Sequence, residues 1–226
     1  MMKRPKRVYL NRAKKVYDLK ELERLGLTPE PEQREQILTY FSLIYQWNPV
    51  AGLVSKNDEA NLFIRHFCDS LQPLLLFGFK KDACVLDIGA GGGFPSIPTR
   101  IFRPDLSITL VDSNRKKAGF LREVIDVLGF SNVSVVNRRV EKYESEGRYD
   151  YVVSRGVGTL QKFSSLAKPF ICRDGRMYSF KSKDYMKEVE SITENKSRDG
   201  VKISEIAEYD LGNQIFGLRL ISLACT

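Results

Sequence analysis

The sequence predicts an α/β fold in which a Rossmann-like, mostly parallel sheet carries an antiparallel C-terminal hairpin and follows an N-terminal helical segment. Three observations support this prediction. From residue 83 onward, short β-branched runs alternate with longer amphipathic runs, which is typical of parallel strands connected by helices. The last two strand-like runs have no long helix between them. The residues before position 80 show helical rather than strand periodicity.

The first 17 residues are predicted to form a basic N-terminal arm. Residues 1–20 contain eight cations and one acid, so this stretch holds +7 of the formal net charge of +8. A cationic arm beside a nearly neutral domain is typical of contact with a polyanion, although a solubilising tail would have the same composition. The charge pattern does not distinguish RNA from DNA.

Residues 18–80 are predicted to form a helical segment. The pair Thr28-Pro29 is typical of a helix start. The pair Asn48-Pro49 is predicted to end that helix. A second helical stretch is expected from about residue 58 to residue 77, with a break near Pro73. The apolar stripe of the first helix is interpreted as core, and it consists of Ile37, Tyr40, Phe41, Ile44 and Trp47.

Residues 81–226 are predicted to form the sheet domain. Strands are expected at 83–88, 106–111, 133–136, 149–153, 176–180, 201–209 and 215–223. Helices are expected at 97–102, 115–128, 160–171 and 185–195.

Composition argues against several classes of protein. No apolar run approaches the roughly 18–20 residues of a membrane span, and the N-terminus lacks the apolar region of a secretory signal. The four cysteines are scattered without a Cys-x-x-Cys pair, so we expect neither a zinc site nor disulfides. We therefore expect a cytoplasmic protein with reduced thiols, no metal site and no membrane contact.

A glycine-rich motif between the first predicted strand and the next helix is the most informative feature. It runs from Asp87 through Gly89 and Gly91 to Phe94. Ligands of open α/β sheets bind beyond the carboxyl ends of strands, where glycines let the backbone approach them. The dinucleotide fingerprint requires a third glycine where this chain has Phe94, which argues against a pyrophosphate. The pattern instead suits a nucleoside joined to an amino acid, whose amino-acid end Asp87 could help to hold.

Three further strand ends complete the predicted binding site. Asp112 ends the second strand, where an acid can accept hydrogen bonds from both ribose hydroxyls. Residues 137–141 follow the third strand and are expected beside an adenine. Residues 154–157 follow the fourth strand and are expected to face the transferred group and the substrate. With five parallel strands and a terminal hairpin, this plan is that of class I methyltransferases, so S-adenosylmethionine is the predicted cofactor.

Two missing motifs narrow the chemistry of the predicted methyl transfer. The sequence lacks the Asn/Asp-Pro-Pro-aromatic tetrad that accompanies methylation of exocyclic amines. It also lacks a cysteine at the end of the fourth strand, where methylation at pyrimidine C5 requires a nucleophile. The remaining possibility is an acceptor atom that is already nucleophilic and needs only positioning.

A series of short motifs between about Trp47 and Lys187 matches one known family in order and spacing. The motifs are Trp47-Asn48, the stretch 65–71 with its His-x-x-Asp-Ser pattern, the stretch 86–98, the stretch 110–113, Lys116-Lys117, Phe120-Leu121, Asn132-Val133, Arg139-Val140-Glu141 and Ser154-Arg155. In these motifs the chain resembles the bacterial guanine-N7 methyltransferases of 16S ribosomal RNA, the RsmG or glucose-inhibited division protein B family.

The resemblance implies roles for particular residues. It implies that the S-adenosylmethionine site is lined by Gly89, Phe94, Val140, Glu141 and Arg155, with Asp112 near the ribose. It also implies a site role for Arg155 and a positioning role for His66, although a purely structural role for this histidine is the alternative. Ribosomal RNA or the small ribosomal subunit is the implied partner. Because guanine N7 carries a free lone pair, its methylation requires no general base.

The chain also departs from the usual family pattern at several positions. Ser96, Gly156 and Ser182 replace a glycine, an alanine and a glycine of that pattern, and the element after the tryptophan has become 51–55. These changes are expected on the substrate side, so they leave the substrate more open than the cofactor. A small-molecule methyltransferase and a non-catalytic ribosome-binding protein are the alternatives. A monomer is the expected oligomeric state.

Overall fold

The computed structural model describes residues 7–145, 147–182, 185–194, 200–212 and 215–226. In these residues a seven-stranded sheet has the order β3-β2-β1-β4-β5-β7-β6. The strands are β1 (Cys84–Ile88), β2 (Ser107–Val111), β3 (Val133–Val136), β4 (Tyr149–Ser154), β5 (Ile171–Lys181), β6 (Val201–Leu211) and β7 (Ile215–Cys225). The first five strands pair in parallel, whereas β7 pairs antiparallel with both β5 and β6. The predicted fold class is confirmed.

The chain order creates a crevice at the carboxyl ends of β1 and β4. The first three strands run outward from β1 in one direction, and the chain then returns to place β4 on the other side of β1. Ligands of open α/β sheets bind where the strand order reverses in this way. The Ser154 hydroxyl fixes this point by donating to the Ile88 carbonyl oxygen at 2.9 Å.

Seven α-helices surround the sheet in the described part of the chain. They are α1 (Arg7–Val16), α2 (Leu19–Arg24), α3 (Pro31–Ala51), α4 (Ser96–Phe102), α5 (Arg115–Leu128), α6 (Leu160–Ala167) and α7 (Met186–Glu194). The Leu62–Cys68 and Pro73–Phe77 segments form wider turns of the π type. None of the described helices is both long and apolar enough to cross a membrane.

Helix α3 begins and ends differently from the prediction. Its first residue is Pro31, and Glu30 and Gln33 close a reciprocal capping box, so Thr28-Pro29 does not start the helix. Pro49 lies inside the last turn, and the helix continues until Gly52 adopts a left-handed conformation with φ of 59°. A proline near a helix end loses little because the chain is about to leave the helix.

Helix α1 is part of the folded body, although the composition predicts that residues 1–17 form an arm that buries little apolar surface. Ala13 is fully buried, and Tyr9 and Val16 pack against the same hydrophobic cluster. Arg12 pairs with Glu59 and lies over the Tyr45 ring. Tyr9, Ala13 and Val16 form an apolar stripe at helical spacing, and the cations between them dominate the composition of this segment. The predicted cations at positions 3, 4 and 6 lie outside the described residues.

Hydrophobic clusters cover both faces of the sheet. One cluster joins the N-terminal helices to one face, and Phe41, Phe67 and Phe120 are fully buried in it. The other cluster packs α6 and α7 on the opposite face through Phe163 and Ile192. Because the helical segment and the sheet share the first cluster, they are packed together as one body.

The boundary between α6 and β5 differs from the sequence prediction by several residues. Helix α6 ends at Ala167, not at residue 171, and β5 begins at Ile171, five residues before the predicted start. A register irregularity opposite Tyr149 and Tyr151 lets the chain enter the sheet early. Gly175 is required there, because a Cβ would lie 2.8 Å from the Asp150 carbonyl oxygen.

Candidate functional site

The glycine loop between β1 and α4 is held by backbone hydrogen bonds to the end of β2. The amides of Gly89 and Ala90 donate to the Val111 carbonyl oxygen at 2.8 and 3.1 Å. Gly89 has a φ of 73°, and a Cβ there would lie 2.8 Å from Val157 Cγ2. A glycine is therefore needed for both conformation and space.

Asp112 connects the loop to the next helix. One carboxylate oxygen accepts the Gly91 N–H at 2.8 Å, and the other accepts the Asn114 N–H at 2.7 Å. A carboxylate can accept about four hydrogen bonds, so capacity remains for two donors such as the hydroxyls of a ribose. The position of Asp112 near a ribose stays a prediction. The free acceptor capacity of its carboxylate is compatible with that prediction.

A cavity of about 320 Å³ lies at the carboxyl ends of the strands. It is lined by four of the residues predicted to bind the cofactor, namely Gly89, Asp112, Val140 and Glu141. Arg138, Arg139, Val157 and Lys162 also line it. Arg138 and Arg139 are exposed and give this cavity a cationic rim. The other predicted cofactor residues, Asp87, Gly91, Phe94 and Arg155, do not line this cavity.

Asp87 lies fully buried at the end of β1. Neither carboxylate oxygen has a hydrogen bond of normal geometry within the described residues. The pKa of Asp87 is raised to about 7, chiefly by burial and to a smaller extent by the charge of Asp112. The nearby Ser96 hydroxyl and amide lower this pKa and offset only part of the effect of burial. A buried carboxylate without a partner is an expensive feature, and a cationic ligand group nearby would stabilise its charged form.

Ser96, one of the departures from the family pattern, does not line either of the two cavities described here. It is buried in the first turn of α4 and affects the pKa of Asp87. Gly156 has a φ of 91° and open space around a Cβ position, and Ser182 is exposed after β5.

Phe94 points away from the first cavity, into the packing between the glycine loop and the helical segment. Its ring centroid lies 5.6 Å from that of Tyr40 and 5.1 Å from that of His66. The Arg155 guanidinium lies 5.9 Å from the Phe94 centroid. Phe94 therefore joins the glycine loop to His66 and Arg155.

A second cavity, of about 250 Å³, contains both residues predicted to act on the substrate. It is lined by Asp58, Arg65, His66, Asp69, Arg155, Leu211, Ile215 and Leu218. Arg155 comes directly after β4, two residues before Val157, which lines the first cavity. The residues following β4 thus lie between the two cavities.

Arg155 is held in place by several acceptors. Its guanidinium donates to the carbonyl oxygens of Arg65 at 2.6 Å and His66 at 3.3 Å. Its Nε lies 3.1 Å from Asp69 Oδ2, and the other Asp69 oxygen accepts the Tyr209 hydroxyl at 2.6 Å. These contacts fix the direction of the guanidinium and balance its charge.

His66 is neutral at physiological pH. Burial, together with the positive charge of Arg155, lowers its pKa to about 4. Its Nε2 atom is buried and has no hydrogen-bond partner among the described residues. Sequence reasoning singles out His66 and Arg155 but misses the ion pair of Arg155 with Asp69. It also misses the hydrogen bond from Tyr209 to Asp69, because 140 positions separate these two residues.

The two acids and the glycine loop fit S-adenosylmethionine, which presents ribose hydroxyls, a cationic sulfur and an amino-acid end. The strand order and this site define a Rossmann-like, S-adenosylmethionine-dependent methyltransferase. Residues 33–215 match the family model GidB, described as rRNA small subunit methyltransferase G. The chain belongs to this family.

Individual relatives agree with this membership. The chain is 34% identical over 195 residues to Ribosomal RNA small subunit methyltransferase G of Staphylococcus haemolyticus, covering 85% of this chain and 81% of that protein. It is 36% identical over 187 residues to the protein of the same name from Chromobacterium violaceum, covering 82% and 85%. The fold is also similar to M. jannaschii TYW2 in complex with AdoMet, with a TM-score of 0.52, 18% identity and coverage of 64% and 68%.

Proposed function

We propose that this protein transfers a methyl group from S-adenosylmethionine to N7 of a guanine in small-subunit ribosomal RNA. The observation that carries the proposal is the pair of cavities on either side of residues 155–157. A cofactor held in the first cavity can direct its methyl group past the end of β4 toward a base in the second. The names of the relatives support ribosomal RNA as the source of that base.

The cofactor side of the proposal rests on Gly89, Asp112, Val140 and Glu141 around the first cavity. Asp112 would accept the ribose hydroxyls with its remaining lone pairs. Asp87, which lies beneath the glycine loop, would favour the cationic end of the ligand through its unpartnered charge. When bound, S-adenosylmethionine supplies a methyl group on a positively charged sulfur, which departs as a neutral thioether.

The charge balance of the second cavity suits guanine N7 as the acceptor. Methylation at N7 releases no proton and leaves the base positively charged. Arg155 is balanced by Asp69 at 3.1 Å, and Arg65 is paired with Asp58 at 2.7 Å. His66 is neutral and adds no repulsion. The cavity would therefore tolerate a cationic product, and Arg155 and His66 would position the base rather than remove a proton.

The cysteines support a mechanism without a covalent enzyme intermediate. Cys84, Cys172 and Cys225 lie at the edge of the sheet opposite the cofactor cavity, at the amino ends of the parallel strands. Cys68 is buried, and burial raises the pKa of its thiol. A protonated, enclosed thiol is a poor nucleophile.

Contact with RNA would extend beyond the target base. Arg7, Lys14 and Lys15 are exposed on α1, where they could contact phosphates. The rim arginines Arg138 and Arg139 are exposed as well.

We propose that the enzyme acts as a monomer, in the cytoplasm, on either free RNA or an assembled subunit.

The test uses purified protein, labelled S-adenosylmethionine and small subunits from cells that lack this activity, in parallel with naked small-subunit RNA. Nucleosides from the digested RNA are separated and identified by mass spectrometry. The proposal expects label in 7-methylguanosine and in no other nucleoside. Label in another nucleoside would refute the N7 assignment. Cofactor binding without any labelled RNA would favour a small-molecule substrate or a non-catalytic role.

A further inference from the structure

Helix α3 is hydrogen-bonded to the cofactor loop through a buried hydroxyl. Tyr40, which is fully buried in the middle of the helix, donates to the Gly92 carbonyl oxygen at 2.5 Å. Gly92 belongs to the loop that follows β1, 52 positions away in the sequence. The contact therefore joins the N-terminal helical segment directly to the backbone that surrounds the cofactor.

The Gly92–Gly93 peptide has two hydrogen bonds, one from its N–H and one to its carbonyl oxygen. The run Gly91-Gly92-Gly93 lacks side chains, and glycine peptides can rotate into many conformations at little cost. The Gly91 N–H is held by Asp112 at 2.8 Å, and the Gly93 N–H by the Ala90 carbonyl oxygen at 2.7 Å. Among the described residues, Tyr40 supplies the side-chain hydrogen bond to the carbonyl between these two amides.

Close packing around the hydroxyl supports a specific role. A Cβ on Gly93 would lie 3.1 Å from the Tyr40 oxygen and 2.6 Å from Ile97 Cγ1. Phe94 covers the ring of Tyr40, with 5.6 Å between the centroids. The Tyr40 hydroxyl is thus held against the loop from several sides.

We propose that Tyr40 is a positioning residue for S-adenosylmethionine, because it holds the Gly92–Gly93 peptide in the orientation that the cofactor requires. Without the hydroxyl, the Gly92–Gly93 peptide keeps the hydrogen bond from the Gly93 N–H to Ala90 but loses the one to its carbonyl oxygen, and a smaller fraction of the molecules presents a competent loop. The apparent dissociation constant rises in inverse proportion to that fraction. The loss of one buried hydrogen bond changes such an equilibrium roughly tenfold.

The experiment compares Tyr40→Phe with Tyr45→Phe on the same helix. Tyr45 is also almost fully buried, and its hydroxyl donates to the Glu59 carbonyl oxygen at 3.2 Å. Both variants lose a tyrosine hydroxyl that is bonded to a backbone carbonyl, but Glu59 is not part of the glycine loop. Melting temperatures and calorimetric titrations with S-adenosylmethionine are measured for both variants and for the wild type.

The proposal expects an affinity roughly tenfold weaker in Tyr40→Phe and unchanged in Tyr45→Phe. It further expects recovery when position 40 carries p-aminophenylalanine, whose amine can donate to the Gly92 carbonyl oxygen. That variant also keeps the test valid if the phenylalanine variant does not fold. Equal weakening in both variants, or wild-type affinity in Tyr40→Phe, would overturn the proposal.

Failure of the wild type to bind S-adenosylmethionine would overturn the cofactor assignment and this proposal together. The titrations contain no RNA, so they do not depend on the proposed guanine target.

Discussion

Replacing Asp87 by asparagine tests the energetic cost of the unpartnered carboxylate beneath the glycine loop. Burial raises the pKa of Asp87 from 3.8 to about 7. Each pKa unit corresponds to about 1.4 kcal/mol, so the charged carboxylate costs the folded state about 4 kcal/mol once the pH exceeds 7. The amide keeps the shape of the side chain but cannot ionise.

The sign of the pH dependence follows from the direction of the shift. The folded protein binds the Asp87 proton more tightly than the unfolded chain. The associated stability is complete below about pH 3.8 and is lost as the pH rises through 7. Between pH 5 and pH 8, the stabilisation of Asp87→Asn relative to wild type should therefore grow by about 3 kcal/mol. A difference between two pH values also cancels the constant cost of burying the amide.

The assay is urea denaturation of both proteins at several pH values between 5 and 8. His66 acts in the opposite direction, because its lowered pKa makes stability fall as the pH drops from 6.5 to about 4. That contribution is common to both proteins and cancels. Asp126→Asn, on the exposed face of α5, serves as the control and should parallel the wild type. Parallel curves for Asp87→Asn and wild type would refute the reasoning, because Asp87 would then have no raised pKa.

Three other predictions concern the cofactor, the pH profile and the RNA. Asp112→Ala should weaken S-adenosylmethionine binding by about 1–3 kcal/mol in calorimetry, since charge-assisted hydrogen bonds are removed; unchanged affinity would remove Asp112 from the site. Because His66 is protonated only below about pH 4, single-turnover methyl transfer should be independent of pH between 6 and 8 in the Asp87→Asn variant, which lacks the carboxyl group whose pKa is about 7, and a step near 6.5 would contradict this. The double substitution Lys14→Gln and Lys15→Gln should reduce the log–log salt slope of RNA binding by about 0.7 for each phosphate that is no longer neutralised, whereas Lys81→Gln, at the opposite edge of the sheet, should leave the slope unchanged.

The sheet could be predicted because its signal is local. Strands that are covered on both faces have sequences that are short apolar runs. One of them, β3, begins and ends at the predicted residues. The start of β5 could not be predicted, because residues 173–175 read as a polar turn and enter the sheet only through a register irregularity. Helix α1 was missed for a different reason: its buried positions Tyr9, Ala13 and Val16 are separated by cations that dominate the composition.

In the candidate site, too, some positions could be predicted from the sequence and others could not. Gly89 and Asp112 directly follow β1 and β2 in the sequence, so their place beside a ligand cavity could be anticipated. Phe94 shares the motif but turns toward Tyr40, a contact that sequence spacing does not contain. The same holds for Asp69, whose partner Tyr209 comes from the C-terminal hairpin.

The hairpin has a consequence for biosynthesis. Leu211, Ile215 and Leu218 form one wall of the second cavity, and Tyr209 reaches back to Asp69. The residues that line the first cavity, in contrast, all lie between positions 88 and 166. During translation, a nascent chain can therefore assemble its cofactor crevice early, but the cavity proposed for the base forms only after residue 218 has left the ribosome. A chain interrupted before the hairpin would contain every residue that lines the first cavity but would lack the wall of the second cavity that Leu211, Ile215 and Leu218 form.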